Sequence, residues 1–169
     1  MYKTGDFVVH KVDGLCRITD ISSLDIPDCD KTKQYYYLIP TECPTSKIYV
    51  AVGSGDASLR DPVTHDEALS LIDSIPDLDE IDVENEKYRQ KEYNKALVQN
   101  DAKELFRLIK TTHMRKLARL SKGRSATSVD EHFLRSAEHA LYSELSYALG
   151  IEEDEMSDFI EARLSNGKK

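Results

Sequence analysis

The sequence predicts an α+β protein in which a small SH3-like β-barrel or strongly bent sheet is followed by an all-α helical bundle. Short segments rich in β-branched and aromatic residues, separated by turn residues, fill the first sixty positions. From Pro62 onward, apolar residues recur at the spacing of helices. A chain of 169 residues has room for one ordinary domain or two small ones, and we predict two, at residues 1–62 and 63–169.

Four strands are predicted in the first part of the chain, at residues 7–10, 15–21, 34–39 and 47–52. The first two flank Asp13-Gly14, a strong tight-turn signal, and therefore form a hairpin. A polar stretch at residues 22–33 forms the next loop, and Gly53-Ser54-Gly55-Asp56 forms a turn after the fourth strand. So few short strands favour a strongly bent sheet or a small barrel over a sandwich.

The second part of the chain carries clear helix start signals. At Thr64, Asp101 and Ser128 an N-cap residue is followed three positions later by glutamate, and each pair precedes an apolar stripe. The second stripe includes Leu117 and Leu120, which we expect to face the core.

Two more helices complete the predicted bundle. One spans about residues 86–98, and the other spans about residues 152–164, after Gly150 ends the helix that precedes it. The acidic segment at residues 76–82 has no apolar periodicity, so it is the best candidate for a linker between elements.

The composition excludes several classes of protein. No stretch approaches the ~20 apolar residues that span a bilayer, and no secretory signal opens the sequence, so we expect a cytoplasmic protein. Cys16, Cys29 and Cys43 are widely spaced, and we interpret all three as reduced and structural. The histidines and carboxylates lack the spacing of a metal site or a catalytic constellation. We therefore expect no catalytic residues, no metal and no cofactor.

The charge is unevenly distributed along the chain. The formal net charge is −8, yet residues 103–124 carry eight basic side chains and one acidic side chain, between two acidic segments. Such a block either attracts a polyanion or forms an exposed helix that pairs with its acidic neighbours. The sequence alone leaves both interpretations open.

Two ordered sets of motifs run along the chain. The first comprises Tyr2-Lys3-Thr4-Gly5-Asp6-Phe7-Val8-Val9-His10, Asp13-Gly14-Leu15-Cys16-Arg17-Ile18, Tyr36-Tyr37-Leu38-Ile39, Ile48-Tyr49-Val50-Ala51-Val52 and Leu59-Arg60-Asp61-Pro62-Val63. The second comprises Leu97-x-x-x-Asp101, Ala126-Thr127-Ser128-x-x-Glu131-x-x-Leu134 and Leu141-Tyr142-Ser143-Glu144-Leu145-Ser146-Tyr147-Ala148. Together they resemble the CarD/CdnL transcription regulators over nearly the whole chain. Transcription-repair coupling factors share the domain that carries the first set.

This resemblance implies a bacterial cytoplasmic protein without catalytic activity. Its Tudor-like N-terminal domain, residues 1–62, would bind the β subunit of RNA polymerase. Its helical domain, residues 63–169, would contact promoter DNA near the upstream edge of the transcription bubble and shift the stability of the open complex. The polymerase-binding residues implied by the family are Lys47, Ile48, Tyr49 and Val50, which act by edge pairing and side-chain contact. Alternatively, this strand belongs to an ordinary barrel core.

Two departures from the family pattern concern these contacts. Known members carry an arginine on the polymerase-binding strand where Tyr49 stands here. They also carry a tryptophan that wedges into the minor groove, at the position of Glu86 or Lys87, whereas this chain has no tryptophan. Tyr88 is the only ring nearby, so it is either a smaller wedge or an ordinary packing residue.

The other expected DNA contacts are basic and would be made to phosphates. They are Lys87, Arg89 and Lys91 at one helix start, and Arg115, Lys116, Arg119, Lys122 and Arg124 at the end of another helix. Such contacts add salt dependence without sequence specificity, so we expect weak binding to free DNA. If the helical domain has instead lost DNA contact, the protein is an interaction adaptor on RNA polymerase.

Overall fold

The computed structural model describes residues 1–25 and 30–166. The chain is α+β and divides into two compact units, Met1–Pro62 and Val63–Lys169. Cys29, with residues 26–28 of the predicted loop, lies outside the described residues. Among the described helices, none is both long enough and apolar enough to cross a membrane.

The first unit is built on a five-stranded antiparallel sheet in the order β4-β3-β2-β1-β5. The strands are β1 (Phe7–His10), β2 (Gly14–Ser22), β3 (Tyr35–Pro40), β4 (Ile48–Ala51) and β5 (Leu59–Arg60). The predicted hairpin around Asp13-Gly14 is confirmed by the pairing of β1 with β2. The sheet curls into a half-barrel, and no pairing of β4 with β5 closes it within the described part of the chain. Of the two predicted alternatives for the first unit, the strongly bent sheet therefore describes the fold, and the closed barrel does not.

One face of the sheet forms the core of the first unit. Alternating residues of β3, Tyr36 and Leu38, are fully buried and pack with Val8, Ile18 and other apolar side chains. This alternation follows from the period of two that a strand imposes on its side chains. The core of the unit therefore lies on the concave side of the curled sheet.

The two described cysteines differ in their surroundings. Cys16 is fully buried, and this burial, together with the charge of Asp13, raises the pKa of its thiol to about 12. Cys43 is exposed, and its interpretation as a structural residue stays a prediction. The hydroxyls of Ser46 and Thr45 lie 3.1 Å and 3.6 Å from its Sγ, and these hydrogen bonds lower its pKa.

The predicted turn at residues 53–56 is confirmed and leads into a one-turn 3₁₀-helix, Asp56–Ser58. Its Gly55 packs directly on β4. A Cβ at Gly55 would lie 2.5 Å from Val50 Cγ1 and 2.7 Å from the Ala51 carbonyl oxygen. The glycine is therefore required by close approach, since its φ of −94° is open to any residue.

Gly55→Ala is expected to lower the free energy of unfolding of the first unit by about 1–3 kcal/mol, because the added methyl group overpacks β4. Ser54→Ala, one residue away at an exposed position, is the control and should change it by less than about 0.5 kcal/mol. Hydrogen exchange of the amides shared by β3 and β4 measures both effects. Equal protection in the two variants would show that the turn accommodates the added methyl group without loss of stability.

The second unit contains five α-helices. They are α1 (His65–Ser74), α2 (Arg89–Gln99), α3 (Ala102–Leu120), α4 (Ser128–Leu149) and α5 (Met156–Asn166). Short 3₁₀-helices precede α2 at Glu86–Tyr88 and α5 at Glu153–Glu155, and another follows α1 at Ile75–Asp77. Their shared core contains residues from every α-helix, including Ile72, Tyr93, Leu105, Leu108, Phe133, Leu141, Leu145 and Met156.

The helix caps are mostly those that the sequence predicts. Thr64 forms a complete capping box with Glu67, Asp101 accepts hydrogen bonds from two backbone N–H groups of α3, and Gly150 ends α4 at a φ of 66°. The prediction for Ser128 is wrong by one residue. Thr127 is the N-cap of α4 because its Oγ1 accepts from the backbone N–H of Asp130 at 3.1 Å.

The predicted linker at residues 76–82 is packed against α3. Leu78 is buried, and the backbone N–H of Ile81 donates to Thr111 Oγ1 at 2.8 Å. Lys110 Nζ donates to three carbonyl oxygens at or beside the linker, those of Ile75, Pro76 and Leu78, at 2.6–3.0 Å. The side chain of Arg107 also donates to carbonyl oxygens there. Lys110 and Arg107, two basic residues of the block at residues 103–124, therefore fix the linker against α3.

The expectation that Leu117 and Leu120 face the core is wrong. These side chains are 46% and 51% exposed, and Met114 on the preceding turn is 43% exposed. The buried residues of α3 end at Thr112. In the last turns of α3 the half-buried positions are Arg115, Lys116 and Arg119, so the packed face there does not follow the apolar period.

Candidate functional site

The strand predicted to bind a partner lies at an edge of the sheet. In β4, Val50 is buried and Ile48 is half-buried, whereas Tyr49 is 40% exposed. Lys47 precedes the strand and is exposed. Within the described part of the chain, β4 pairs only with β3. One side of its backbone is therefore open at Tyr49, whereas at the end of the strand the carbonyl oxygen of Ala51 accepts from the Gly55 N–H at 2.8 Å.

The register shows which backbone groups face this open side. Tyr36 lies opposite Val50, and Tyr37 lies opposite Tyr49. The backbone N–H of Val52 donates to Gln34 O at 2.9 Å, just beyond the strand. Hydrogen-bonded and non-hydrogen-bonded pairs alternate in an antiparallel ladder, so the N–H and C=O of Val50 point toward β3 and those of Tyr49 point outward.

Tyrosine side chains cover the outer face of the sheet beside this edge. The rings of Tyr37 and Tyr49 meet edge to face, with centroids 4.9 Å apart and an interplanar angle of 85°. The Tyr37 hydroxyl donates to the carbonyl oxygen of Ser23 at 3.1 Å, which fixes the inner ring. The alternative of an ordinary core strand thus applies to Val50 but not to Tyr49. A partner strand added at this edge would contact the Tyr49 ring.

The basic residues expected to contact DNA lie on three elements and one turn of the second unit. Lys87 and Tyr88 are in the 3₁₀-helix that leads into α2, and Arg89 and Lys91 are in the first turn of α2. Arg115, Lys116 and Arg119 are in the last turns of α3. Lys122 and Arg124 lie beyond Leu120, so they follow the helix rather than end it.

Two of these residues, Arg89 and Arg115, are held by carboxylates. The Nε atom of each guanidinium lies 3.5 Å from Oδ1 of Asp130, whose side chain is only 2% exposed. Glu86 contacts both arginines from the solvent side, at 3.0 Å from Arg115 Nη2 and in close contact with Arg89 Nη1. The interpretation that basic side chains pair with acidic neighbours is therefore correct for this pair.

Hydrogen bonds hold Asp130 between the arginines. Thr127 Oγ1 donates to its Oδ2 at 2.7 Å, and the Tyr93 hydroxyl donates to its Oδ1 at 3.3 Å. Burial and the Asp130 charge raise the pKa of Tyr93 to about 12, so the hydroxyl stays protonated. Burial lowers the pKa of Arg115, but the charges of Asp130 and Glu86 outweigh this and raise it above its usual value. We call these residues the arginine cluster: Glu86, Arg89, Tyr93, Arg115, Thr127 and Asp130. The cluster joins three helices, α2, α3 and α4.

Four of the remaining basic residues, Lys87, Lys91, Lys122 and Arg124, are exposed, whereas Lys116 and Arg119 are half-buried. Arg119 Nε donates to the carbonyl oxygen of Ser125 at 2.6 Å, which ties the end of α3 to the following turn. The side chains of Lys87, Lys91, Lys116, Lys122 and Arg124 make no ion pair or hydrogen bond within residues 1–25 and 30–166. The four exposed cations can meet an anion without breaking an existing contact, whereas the charge of Lys116 already acts on the Glu138 carboxylate.

Tyr88 is 59% exposed, so its ring is largely outside the helix core. It lines a surface cavity of about 660 Å³ together with Asp82, Val83, Glu84, Asn85, Lys91 and Glu92. Three of these side chains are carboxylates, which repel phosphate, and Lys91 offsets them only in part. The ring is placed to contact a partner, but its surroundings are mainly acidic.

Sequence reasoning missed Asp130, Tyr93 and the bridging role of Glu86. The one local signal is Thr127 followed three positions later by Asp130. This N-cap pattern lies one residue before the predicted capping box of Ser128 and Glu131. Nothing in the sequence places Tyr93 beside residue 130, because 37 positions separate them. The contact depends on the packing of α2 against α4.

Comparison with known protein families accounts for most of the chain. Residues 2–63 match the model of the CarD-like/TRCF RID domain. Residues 70–161 match the model of the CarD C-terminal domain. A comparison with curated proteins found no significant match. The two family matches lie in the first and second structural units, respectively.

Proposed function

The chain belongs to the CarD/CdnL family of RNA-polymerase-interacting, non-enzymatic transcription regulators, and from this we propose that it binds the polymerase β subunit and modulates open-complex stability. In this proposal, residues 1–62 are a Tudor-like docking domain. Residues 63–169 are an all-α bundle that reaches promoter DNA at the upstream edge of the bubble in the bacterial cytoplasm.

The open edge of β4 is the observation that carries the docking proposal. The Tyr49 amide and carbonyl point away from β3, so a β-subunit strand can pair with them. The Tyr49 ring would cover the added strand from one face, and Lys47 would supply a cation beside it. Val50 and Ile48 would support the strand from the core side.

Four exposed cations and the half-buried Lys116 support the DNA contact; the exposed ones are Lys87, Lys91, Lys122 and Arg124. Each would neutralise a phosphate without reading sequence. Since the net charge is −8, attachment to polymerase must supply most of the effective concentration at the promoter. Tyr88 is the proposed wedge, and Arg119 supports the turn that carries Lys122 and Arg124.

A second candidate is an adaptor that docks on polymerase without touching DNA. The acidic surroundings of Tyr88 and the absence of tryptophan favour it. Under this alternative, the helical unit binds another protein and the accessible cations serve that contact. The two candidates differ in whether Lys122 and Arg124, in the turn after α3, contact DNA or another protein.

Charge reversal of this turn separates the two candidates. In the full chain, Lys122→Glu with Arg124→Glu is expected to change the lifetime of the open complex by about threefold to tenfold, equivalent to about 0.7–1.4 kcal/mol. Binding to polymerase alone should be unchanged, because the substitutions lie in the other unit. Filter binding of promoter complexes measures the lifetime, and a pull-down of RNA polymerase measures docking.

The control is Lys103→Glu with Arg135→Glu, which makes the same change in net charge at exposed positions of α3 and α4. A specific DNA contact predicts little effect of this control on the lifetime. If the Lys122 and Arg124 reversal also leaves the lifetime unchanged while docking persists, the DNA role is contradicted and the adaptor is supported.

A further inference from the structure

Glu86 joins two guanidinium groups at the surface of the helical unit. Its Oε1 and Oε2 lie 3.0 Å and 3.1 Å from Arg115 Nη2, and Oε2 also contacts Arg89 Nη1. The Glu86 side chain is 61% exposed, whereas the arginines are only 29% and 13% exposed. The two guanidinium groups are thus half-buried, and the Glu86 carboxylate covers them from the solvent side.

The two arginines are held whether or not Glu86 is present. Asp130 lies behind them at 3.5 Å from both Nε atoms, and it is itself held by Thr127 and Tyr93. Both Nε atoms are buried and have no hydrogen-bond partner within the described chain. With Asp130 and Glu86 the cluster is neutral, and without Glu86 it carries one net positive charge.

We propose that Arg89 and Arg115 form a binding site for one phosphodiester group, and that Glu86 occupies this site until nucleic acid displaces it. The inference rests on the proposed DNA contact and deepens it. A phosphodiester carries one negative charge and two terminal oxygens, as a carboxylate does, and guanidinium groups bind both in the same forked geometry.

The neighbouring residues favour phosphate over the carboxylate when DNA is present. Lys87 lies in the same 3₁₀-helix as Glu86, and Lys91 lies in the first turn of α2. Both side chains are exposed. A DNA strand can use these cations together with the arginine pair, whereas Glu86 meets only the pair. The Glu86 carboxylate is itself 61% exposed, so water solvates it once a phosphate takes its place.

The first test measures binding of the full chain to a fluorescein-labelled random-sequence duplex at low salt. Glu86→Gln is expected to tighten binding by about threefold to tenfold, because the competing charge is removed while the size of the side chain is kept. Glu155→Gln removes the same charge at an exposed position outside the cluster and outside the cavity beside Tyr88, and it should tighten binding by less than twofold. Equal effects of the two substitutions would overturn the proposal, since they would reflect net charge alone.

A second measurement does not depend on DNA binding. Dimethyl phosphate, a phosphodiester monoanion, is added to the full chain while the side-chain Nε–H signals of Arg89 and Arg115 are followed by NMR. In Glu86→Gln these signals should shift at a lower ligand concentration than in the unaltered protein. Absence of any such shift in Glu86→Gln would overturn the site. A shift without duplex binding would support the site and contradict the DNA role instead.

Discussion

Replacing Asp130 by alanine is expected to lower the free energy of unfolding of the helical unit by about 3–5 kcal/mol. The substitution removes the only carboxylate found behind Arg89 and Arg115 in the described structure, and their Nε atoms are already buried without hydrogen bonds. The Tyr93 hydroxyl would also lose its acceptor. Two cations would thus remain partly buried with only the exposed Glu86 opposite them.

Urea unfolding followed by far-UV circular dichroism measures this loss, because the helices dominate the signal. Glu131→Ala is the matched control, since it removes a carboxylate from the next position of α4 at an exposed site. The control should stay within about 0.5 kcal/mol of the unaltered protein. A similar small change for Asp130→Ala would mean that water reaches the arginines and solvates them, and the cluster would then have no structural role.

The features that sequence reasoning predicted correctly depend on residues close together in the chain. The hairpin at Asp13-Gly14, the capping box at Thr64 and the end of α4 at Gly150 are all set by contacts within a few residues. Local steric and hydrogen-bonding rules are sufficient for such features. They also explain why the strand and helix positions were close to those in the structure.

The features that were missed depend on where packing begins and ends. Leu117 follows the apolar period of α3, yet it is exposed, because the half-buried positions in the last turns of this helix are Arg115, Lys116 and Arg119. The acidic side chains of the predicted linker at residues 76–82 are exposed, but its carbonyl oxygens accept hydrogen bonds from Lys110 and Arg107, which the local sequence does not show. A side chain with a long apolar stem and a cationic end can satisfy buried backbone groups, and composition alone does not reveal this.

The candidate surfaces were located partly by motif and partly by charge. The strand containing Tyr49 was identified from its resemblance to a family, and its place at an edge of the sheet was not evident from the local sequence. The sequence predicts the same phosphate-binding role for both groups of basic residues, although Arg89 and Arg115 are engaged by carboxylates and Lys122 and Arg124 are not. Binding at either surface stays a prediction.

Docking by strand addition predicts a large effect of Tyr49→Pro. Proline removes the outward-pointing N–H of residue 49 and leaves the Val50 groups that face β3 in place. Proline is tolerated on an edge strand when its nitrogen faces solvent, so the sheet should survive. We expect the affinity of the full chain for RNA polymerase to fall by about tenfold or more, since one backbone hydrogen bond is lost and the ring obstructs the incoming strand.

Tyr49→Ala isolates the contribution of the ring, because it keeps the amide and removes the contact with Tyr37. The affinity lost by Tyr49→Pro beyond that lost by Tyr49→Ala measures the backbone contribution, which we expect to be about 1–2 kcal/mol. Surface plasmon resonance with immobilised polymerase gives both values, and hydrogen exchange of the β3 amides verifies the fold. If the two variants weaken binding equally, the polymerase contacts the tyrosine side chain and does not extend the sheet.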